Sequence, residues 1–354
     1  MKMDLILSLA DDATGAMEVG ARFAAAGAAT WVAFDDAARP AGAEAFVIDT
    51  ETRHLPAAES YRRIRSLASG SMPHLYKKTD STLRGNIAAE FRALLEAFPE
   101  RSLVYAPAYP ALGRTVSGGE LLVNGRRLRE SPFASDPLNP VQDGFIPALL
   151  CDCGVPVEVI ATPEELARGL RRSRQTIYVC DASCDADLVA LAAVLRARTC
   201  LAAGAGAFAG FWIEDRITPA LPRRFTARRC VVVNGSLHPV SRRQIEAGAD
   251  LGWPIFTTPT ERVADAQGEL ARRVMATLES NAADGLVVFG GDTLFAILRA
   301  LEIGIVESGD ELLPGVPVSR ARWHDRDLTL ITKAGGFGGG DLLAAIGDGL
   351  ESRI

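Results

Sequence analysis

Leu75-Tyr76-Lys77-Lys78-Thr79-Asp80-Ser81-Thr82-Leu83-Arg84-Gly85-Asn86, running into Ile87-Ala88-Ala89-Glu90-Phe91-Arg92-Ala93-Leu94-Leu95, is the stretch on which the reading of the fold turns. Leu75 and Tyr76 read as a short apolar strand, and Ile87 to Leu95 carries helical spacing. Between them the loop from Lys77 to Asn86 holds two lysines, an aspartate, three hydroxyls, an arginine and an asparagine. A turn that only reverses direction needs far less charge. In open α/β sheets ligands bind beyond the carboxyl ends of the strands, so the loop is expected to floor a site for a small, polar, anionic molecule. The rival reading is a solvated, N-capped helix start with its lysines and arginine facing water.

The same alternation recurs along the chain. Leu5–Leu9, Trp31–Phe34, Ala45–Ile48, Leu103–Ala106, Val157–Ile160 and Thr176–Val179 read as strands. Ala16–Ala26, Ala57–Leu67, Pro163–Arg171 and Asp187–Arg198 read as helices. Further on, Cys230–Val233, Leu286–Phe289 and Leu328–Thr332 are strands that each end in a glycine turn and a helix. The expectation is an α/β fold of two domains, each a mainly parallel sheet flanked by helices. A length of 354 residues suits two domains. Thr218-Pro219-Ala220-Leu221-Pro222-Arg223-Arg224 reads as the linker, which divides the chain into 1–225 and 226–354. From Pro107 to Pro140 periodicity is lost, and the apolar residues there point to an ordered, functional loop with a small hairpin.

Bulk composition excludes several classes. Hydrophobic residues make up 48% and charged ones 23%, as in soluble globular proteins. A net charge of −6 argues against nucleic acid as partner. No run of about 20 apolar residues is present for a membrane span, and Ile6–Ala10, between Asp4 and Asp11, is not a signal peptide. The six cysteines form no CxxC pair, and the four histidines lie apart from them. Reduced thiols and a cytoplasmic location are the expectation.

Five strand-to-helix loops carry the candidate chemistry. Ala10-Asp11-Asp12-Ala13-Thr14-Gly15 and the Lys77–Asn86 loop supply carboxylates and side-chain donors, which suit a polyhydroxylated acid. Asn234-Gly235-Ser236, Gly290-Gly291-Asp292-Thr293 and Lys333-Ala334-Gly335-Gly336-Phe337-Gly338-Gly339-Gly340-Asp341 are glycine-rich and open helices, a phosphate-binding layout. Neither a P-loop nor a dinucleotide fingerprint is present. A nucleotide on one side and a small acid on the other make phosphoryl transfer the economical reaction, with Mg²⁺ on the phosphates. Asp12 and Asp80 are the two candidates for the base. Arg84 is expected to fork onto a substrate carboxylate. Lys333 reads either as a phosphate contact or as a strand-end lysine in water.

These motifs resemble the signatures of the four-carbon acid sugar kinases. Asp11-Asp12-Ala13-Thr14-Gly15-Ala16 and Lys77 to Asn86 match the N-terminal pair. Ala106-Pro107-Ala108-Tyr109-Pro110, Gly113-Arg114-Thr115-Val116 and Leu122-Val123-Asn124-Gly125 follow in the family's order. Gly235-Ser236, Gly290 to Thr293 and Lys333 to Gly338 resemble its nucleotide-binding motifs, whereas Ala13, Glu18 and Gly336 depart from the usual residues. The resemblance implies ATP-dependent phosphorylation of the 4-hydroxyl of threonate, erythronate or 3-oxo-tetronate. It implies a sugar-acid domain at 1–225 and a nucleotide domain at 226–354. Asp11, Asp12, Lys78, Asp80, Ser81, Arg84 and Asn86 would then face the acid. Ser236, Gly290, Gly291, Asp292, Thr293, Gly335, Gly336 and Gly338 would contact ATP. Kinase action on another hydroxy acid and a silent sugar-acid-binding protein are the alternatives. A homodimer is the assembly named, although no seam of exposed apolar heptads points to one.

Overall fold

The computed structural model describes residues 5–34, 37–70, 72–135, 143–172, 174–196, 198–214, 216–218, 220–236, 238–258, 266–280, 283–334 and 337–353. Up to residue 218 the elements are β1 (Ile6–Ala10), α1 (Ala13–Ala25), β2 (Thr30–Ala33), β3 (Ala45–Asp49), α2 (Ala57–Leu67), β4 (His74–Lys78), α3 (Ile87–Ala97) and β5 (Leu103–Ala106). There follow β6 (Arg114–Ser117), β7 (Glu120–Val123), β8 (Arg126–Arg127), α4 (Ile146–Leu149), β9 (Val157–Ile160), α5 (Pro163–Arg172), β10 (Ile177–Cys180), α6 (Asp185–Leu195), β11 (Leu201–Gly204) and α7 (Gly206–Glu214). Beyond residue 220 come β12 (Cys230–Asn234), α8 (Pro239–Ala247), β13 (Ile255–Thr257), α9 (Ala266–Glu279), β14 (Gly285–Phe289) and α10 (Gly291–Ala300). The chain ends with β15 (Ile305–Leu313), β16 (Val316–Trp323), β17 (Arg326–Lys333) and α11 (Leu342–Glu351).

Contacts divide the chain into two units that are not consecutive in sequence: Met1–Gly15 with Val47–Pro219, and Ala16–Phe46 with Ala220–Ile354. The single cut expected at 225/226 thus differs from the observed division by residues 16–46 and 220–225. The reason is long-range pairing. β2 lies antiparallel to β15, with Ala33 opposite Ile305 and Val32 opposite Val306. Arg22 pairs with Glu311 at 3.5 Å. Pro219, within the expected linker, lies outside the described residues.

In the first unit the strand order is β3-β1-β4-β11-β5-β10-β9. The pairs from β1 through β9 are all parallel. β1, β5, β10 and β11 are buried along their whole length, as continuous apolar runs covered by helices on both faces must be. Helix α5 places Glu164 and Glu165 in its first turn and Arg171 and Arg172 in its last, both favourable to the helix dipole. Tyr76 stacks on Trp212 at 5.4 Å, and Phe91 meets Tyr105 edge-on at 4.9 Å. The expected hairpin in the irregular segment is present as β6-β7-β8. Its first turn is held by Asp181, whose carboxylate accepts the Gly118 and Gly119 N–H groups at 2.7 and 2.9 Å.

In the second unit the order is β13-β12-β14-β17-β16-β15-β2. β13, β12, β14 and β17 are parallel neighbours. β16 and β15 then add an antiparallel hairpin, which the sequence reading did not contain. Val232, Val287, Phe289, Ile331, Leu343 and Ile346 pack together as the core of this unit.

Candidate functional site

β1 and β4 are adjacent and in register, Leu9 opposite Lys77 and Ala10 opposite Lys78. Their carboxyl ends therefore deliver Asp11-Asp12 and Thr79-Asp80 to one place. The segment after β3 closes over them: Thr50 N–H donates to Ala10 O at 2.8 Å, and Thr52 and Arg53 N–H groups both donate to Asp11 O at 3.1 Å. That segment brings Arg53, a residue the sequence reading missed. The guanidinium of Arg53 lies 2.8 Å from Asp11 Oδ2, 2.5 Å from Asp12 Oδ2 and 3.7 Å from Asp80 Oδ1. It is nearly buried, at 9% exposure. The signal that could have found it is its place just past the end of a strand beside the acidic loop.

The three aspartates are not alike. Asp80 accepts from Arg84 Nε at 3.0 Å and Nη2 at 2.8 Å, from Thr82 N–H at 3.0 Å, and from the Thr82 hydroxyl. Burial pushes its pKa up, but Arg84 and Arg53 outweigh that and hold it well below the usual carboxylate range. Burial likewise works against Asp11, yet Arg53, Lys77 and Lys78 together lower its pKa. Asp12 is shifted the other way. Burial, with Asp11 beside it, raises its pKa despite Arg53 and Lys78. Its Oδ1 caps α1 by accepting Gly15 N–H at 2.8 Å. A Cβ on Gly15 would lie 2.6 Å from that oxygen and 2.9 Å from Lys78 Nζ, so only glycine lets the turn close on the two charges.

Several expectations change in detail. Lys77 and Lys78 belong to β4 and not to the loop after it. Lys77 is fully buried and pairs with Glu90 Oε2 of α3 at 3.0 Å. Lys78 stands at the site, donating to Thr79 O at 3.0 Å. Arg84, expected to fork onto a substrate carboxylate, has its fork on Asp80. Asn86, expected at the acid, donates to Thr52 O and Leu55 O at 2.8 and 2.7 Å and so staples the loop after β3. Ser81 is half-buried in the turn between Asp80 and Thr82.

In the second unit Asn234, Phe289 and Lys333 are opposite one another across β12, β14 and β17. Their three glycine-rich loops are thus side by side at adjacent strand ends. Gly290 has φ +109°, which side-chain-bearing residues avoid. A Cβ on Gly235 would lie 1.7 Å from Thr293 Oγ1. The Gly235 backbone therefore packs directly against the Thr293 side chain in the first turn of α10, close to the helix N-terminus where a phosphate is favoured. Ser236 N–H is turned to Asn234 Oδ1 at 3.1 Å. Thr293 is buried, and Asp292 is exposed beside it. Gly291 opens α10, and Gly338 (φ +87°) sits in the last loop. Gly335 and Gly336 lie outside the described residues. Lys333, read as either a phosphate contact or a lysine in water, is buried, and burial pushes its pKa down to about 7.

A family model described as a sugar-binding N-terminal domain matches residues 6–211, and one described as a nucleotide-binding C-terminal domain matches residues 255–343. A D-threonate kinase of Bordetella bronchiseptica is 31% identical over an alignment taking in 98% of this chain and 97% of that protein. The chain belongs to the four-carbon acid sugar kinase family. Within this kinase family, a 3-oxo-tetronate kinase of Pseudomonas fluorescens is 28% identical, with 96% of each chain covered. A crystal structure from Bordetella bronchiseptica, 29% identical with a TM-score of 0.55 over 98% of each chain, is of a domain-swapped dimer with bound citrate. The sugar-binding match takes in the Asp11-Asp12, Arg53 and Asp80–Arg84 positions of this kinase-family chain. The nucleotide-binding match takes in Gly290–Thr293 and the last glycine loop, and leaves Gly235-Ser236 outside it.

Proposed function

We propose that the protein transfers the γ-phosphoryl group of ATP to the terminal 4-hydroxyl of a four-carbon sugar acid, D-threonate first among them. The first unit takes the acid and the glycine loops of the second take the nucleotide. The observation that carries this reading is the unequal pair of aspartates on one buried guanidinium: Asp80 is locked as an anion, whereas Asp12 has a raised affinity for a proton. A base has to accept a proton in the transition state, so Asp12 fits that role and Asp80 does not. The hydroxyl oxygen bonds to the γ-phosphorus as its proton passes to Asp12. The bond from that phosphorus to the bridging oxygen breaks, and ADP leaves. Asp80, through Arg84, keeps the Thr79–Asn86 loop in shape. Lys78 supplies positive charge near the anionic substrate.

Kinases carry Mg²⁺ on the transferred phosphates. Among the described residues no three of His, Cys, Asp or Glu are grouped to hold a metal ion. Mg²⁺ on a nucleotide keeps several waters and takes most of its other ligands from the phosphates, and no step is assigned to it.

The choice of D-threonate rests on the Bordetella enzyme, aligned over nearly its full length; 3-oxo-tetronate is the second candidate, on the Pseudomonas enzyme. The test is ADP release with Mg²⁺-ATP against D- and L-threonate, D- and L-erythronate, 3-oxo-tetronate and glycerate. Turnover on D-threonate above the rest supports the assignment. Turnover only on another acid replaces it, and silence on all six overturns the reaction. The domain-swapped dimer of the Bordetella protein makes a homodimer the assembly we expect from light scattering.

A further inference from the structure

Two buried polar side chains of the second unit have no part in the chemistry above. Gln244 of α8 is fully buried, and Lys333 at the end of β17 is 1% exposed. Burying an ammonium and an amide is costly unless they are fully used. Gln244 Nε2 donates to Phe337 O at 2.8 Å and to Gly339 O at 2.7 Å, while its Oε1 accepts from Lys333 Nζ. Lys333 also donates to Phe337 O at 2.9 Å and reaches Ser241 Oγ at 3.4 Å. Its ammonium lies 4.5 Å from the centre of the Phe289 ring.

These bonds fix the direction of two peptide units. In a planar trans peptide the carbonyl and the following N–H point opposite ways. With Phe337 O and Gly339 O both turned inward onto Gln244, the N–H groups of Gly338 and Gly340 are turned away from it. Both glycines are exposed. Among the described residues neither N–H donates to a protein acceptor. Two alternate N–H groups presented outward, with no Cβ in the way, form a concavity that suits an anion. The loop follows β17, whose strand end is in register with Phe289 of β14, the strand that leads into Gly290.

We propose that Gln244 and Lys333 are positioning residues that hold the 337–340 loop as a preformed cradle for the phosphates of the nucleotide. The proposal rests on the nucleotide reading of this unit. Gln244→Glu tests it with little change of shape: one oxygen still accepts from Lys333, but the other cannot donate to the two carbonyls. The expected result is a tenfold or larger rise in Kd for ATP and an equal loss for inorganic tripolyphosphate. Adenosine binding and the KM for the acid should stay close to those of the native protein. Gln244→Met, which removes both donor and acceptor without introducing a charge, should show the same selectivity. Unchanged ATP affinity in both variants would overturn the clamp. Parallel losses for ATP, adenosine and the acid would also overturn it, because they would mark a general loosening of the unit. Absence of ATP binding in the native protein would instead sink the nucleotide reading itself.

Discussion

Replacing Lys77 by methionine takes the cation out of a fully buried ion pair. Lys77 Nζ is 3.0 Å from Glu90 Oε2, and both side chains are at most 1% exposed. Glu90 also accepts from the Thr52 hydroxyl and, at 3.5 Å, from Ser60. After the substitution its carboxylate would keep two hydroxyls and no countercharge in a site closed to water. Burial already raises its pKa against the pull of Lys77. Removing one partner of such a pair costs about 3–5 kcal/mol, whereas removing both charges is often close to neutral. For a unit of roughly 190 residues, each kcal/mol moves the melting midpoint by about 2–4 °C. Lys77→Met should therefore lower the midpoint by about 6–20 °C. Lys77→Met with Glu90→Leu should recover much of that loss. Differential scanning calorimetry and urea titration at pH 7.5 on the two single variants and the double variant give the coupling energy. A Lys77→Met midpoint within about 2 °C of the native protein, equivalent to less than 1 kcal/mol, would refute the reasoning. A stable variant that had lost acid binding would make Lys77 a ligand of the acid instead.

Asp12→Asn removes the proposed base while Arg53 and the Gly15 cap keep a partner, so kcat should fall by about 10²–10⁴-fold with ATP affinity unchanged; near-normal turnover would remove Asp12 from the reaction. Gly235→Ala puts a methyl into Thr293 Oγ1, and an overpacking cost of about 1–3 kcal/mol should come with loss of ATP affinity in a fluorescent-nucleotide titration; unchanged affinity would make that loop only a turn. Asp49 is buried beside Glu51, and burial followed by the Glu51 charge raises its pKa well above the ordinary carboxylate value. The folded state then holds a proton that the unfolded state releases above pH of about 4, so this group's contribution to stability is lost as pH rises. Asp49→Asn should be stabilised relative to the native protein at pH 8 and much less so at pH 4. Parallel urea midpoints at the two pH values would contradict this.

Most of the parallel strands were legible because they are short, mainly apolar runs between turn residues. Leu103–Ala106 and Val157–Ile160 have the boundaries expected of them. β15 and β16 were not, since Glu307, Asp310, Glu311, Arg320 and Arg322 interrupt the apolar pattern; their polarity is met by pairs such as Arg320–Glu307 and Arg353–Asp310. β11, Leu-Ala-Ala-Gly, lacks the β-branched residues that mark a strand, and burial between β4 and β5 decides its conformation. At the site, Asp11, Asp12 and Asp80 could be read because acidic residues just past strand ends stand out locally. Arg53 and Gln244 were missed, because their partners lie 42 and 93–95 residues away in the chain. Arg84 was read as a substrate ligand because the sequence shows its guanidinium and Asp80 but not that the turn folds the one onto the other.

The pairing of β2 with β15 also sets the order in which this protein can be completed on the ribosome. Ala33 waits for Ile305, roughly 270 residues later, and at about 5–20 residues per second that wait lasts on the order of 15–50 s. During it Val47 to Pro219 of the first unit is synthesised, while Thr30–Ala33, which has β3 as its other neighbour in the sheet, keeps one edge open. Such a strand is the sort of edge to which a second nascent chain or a chaperone binds. A fragment beginning at the apparent linker would carry the same defect permanently on the other side, with β15 at an open edge of its sheet. For expression and for dissection of this protein, the second unit is therefore available only as part of a chain that includes residues 16–46.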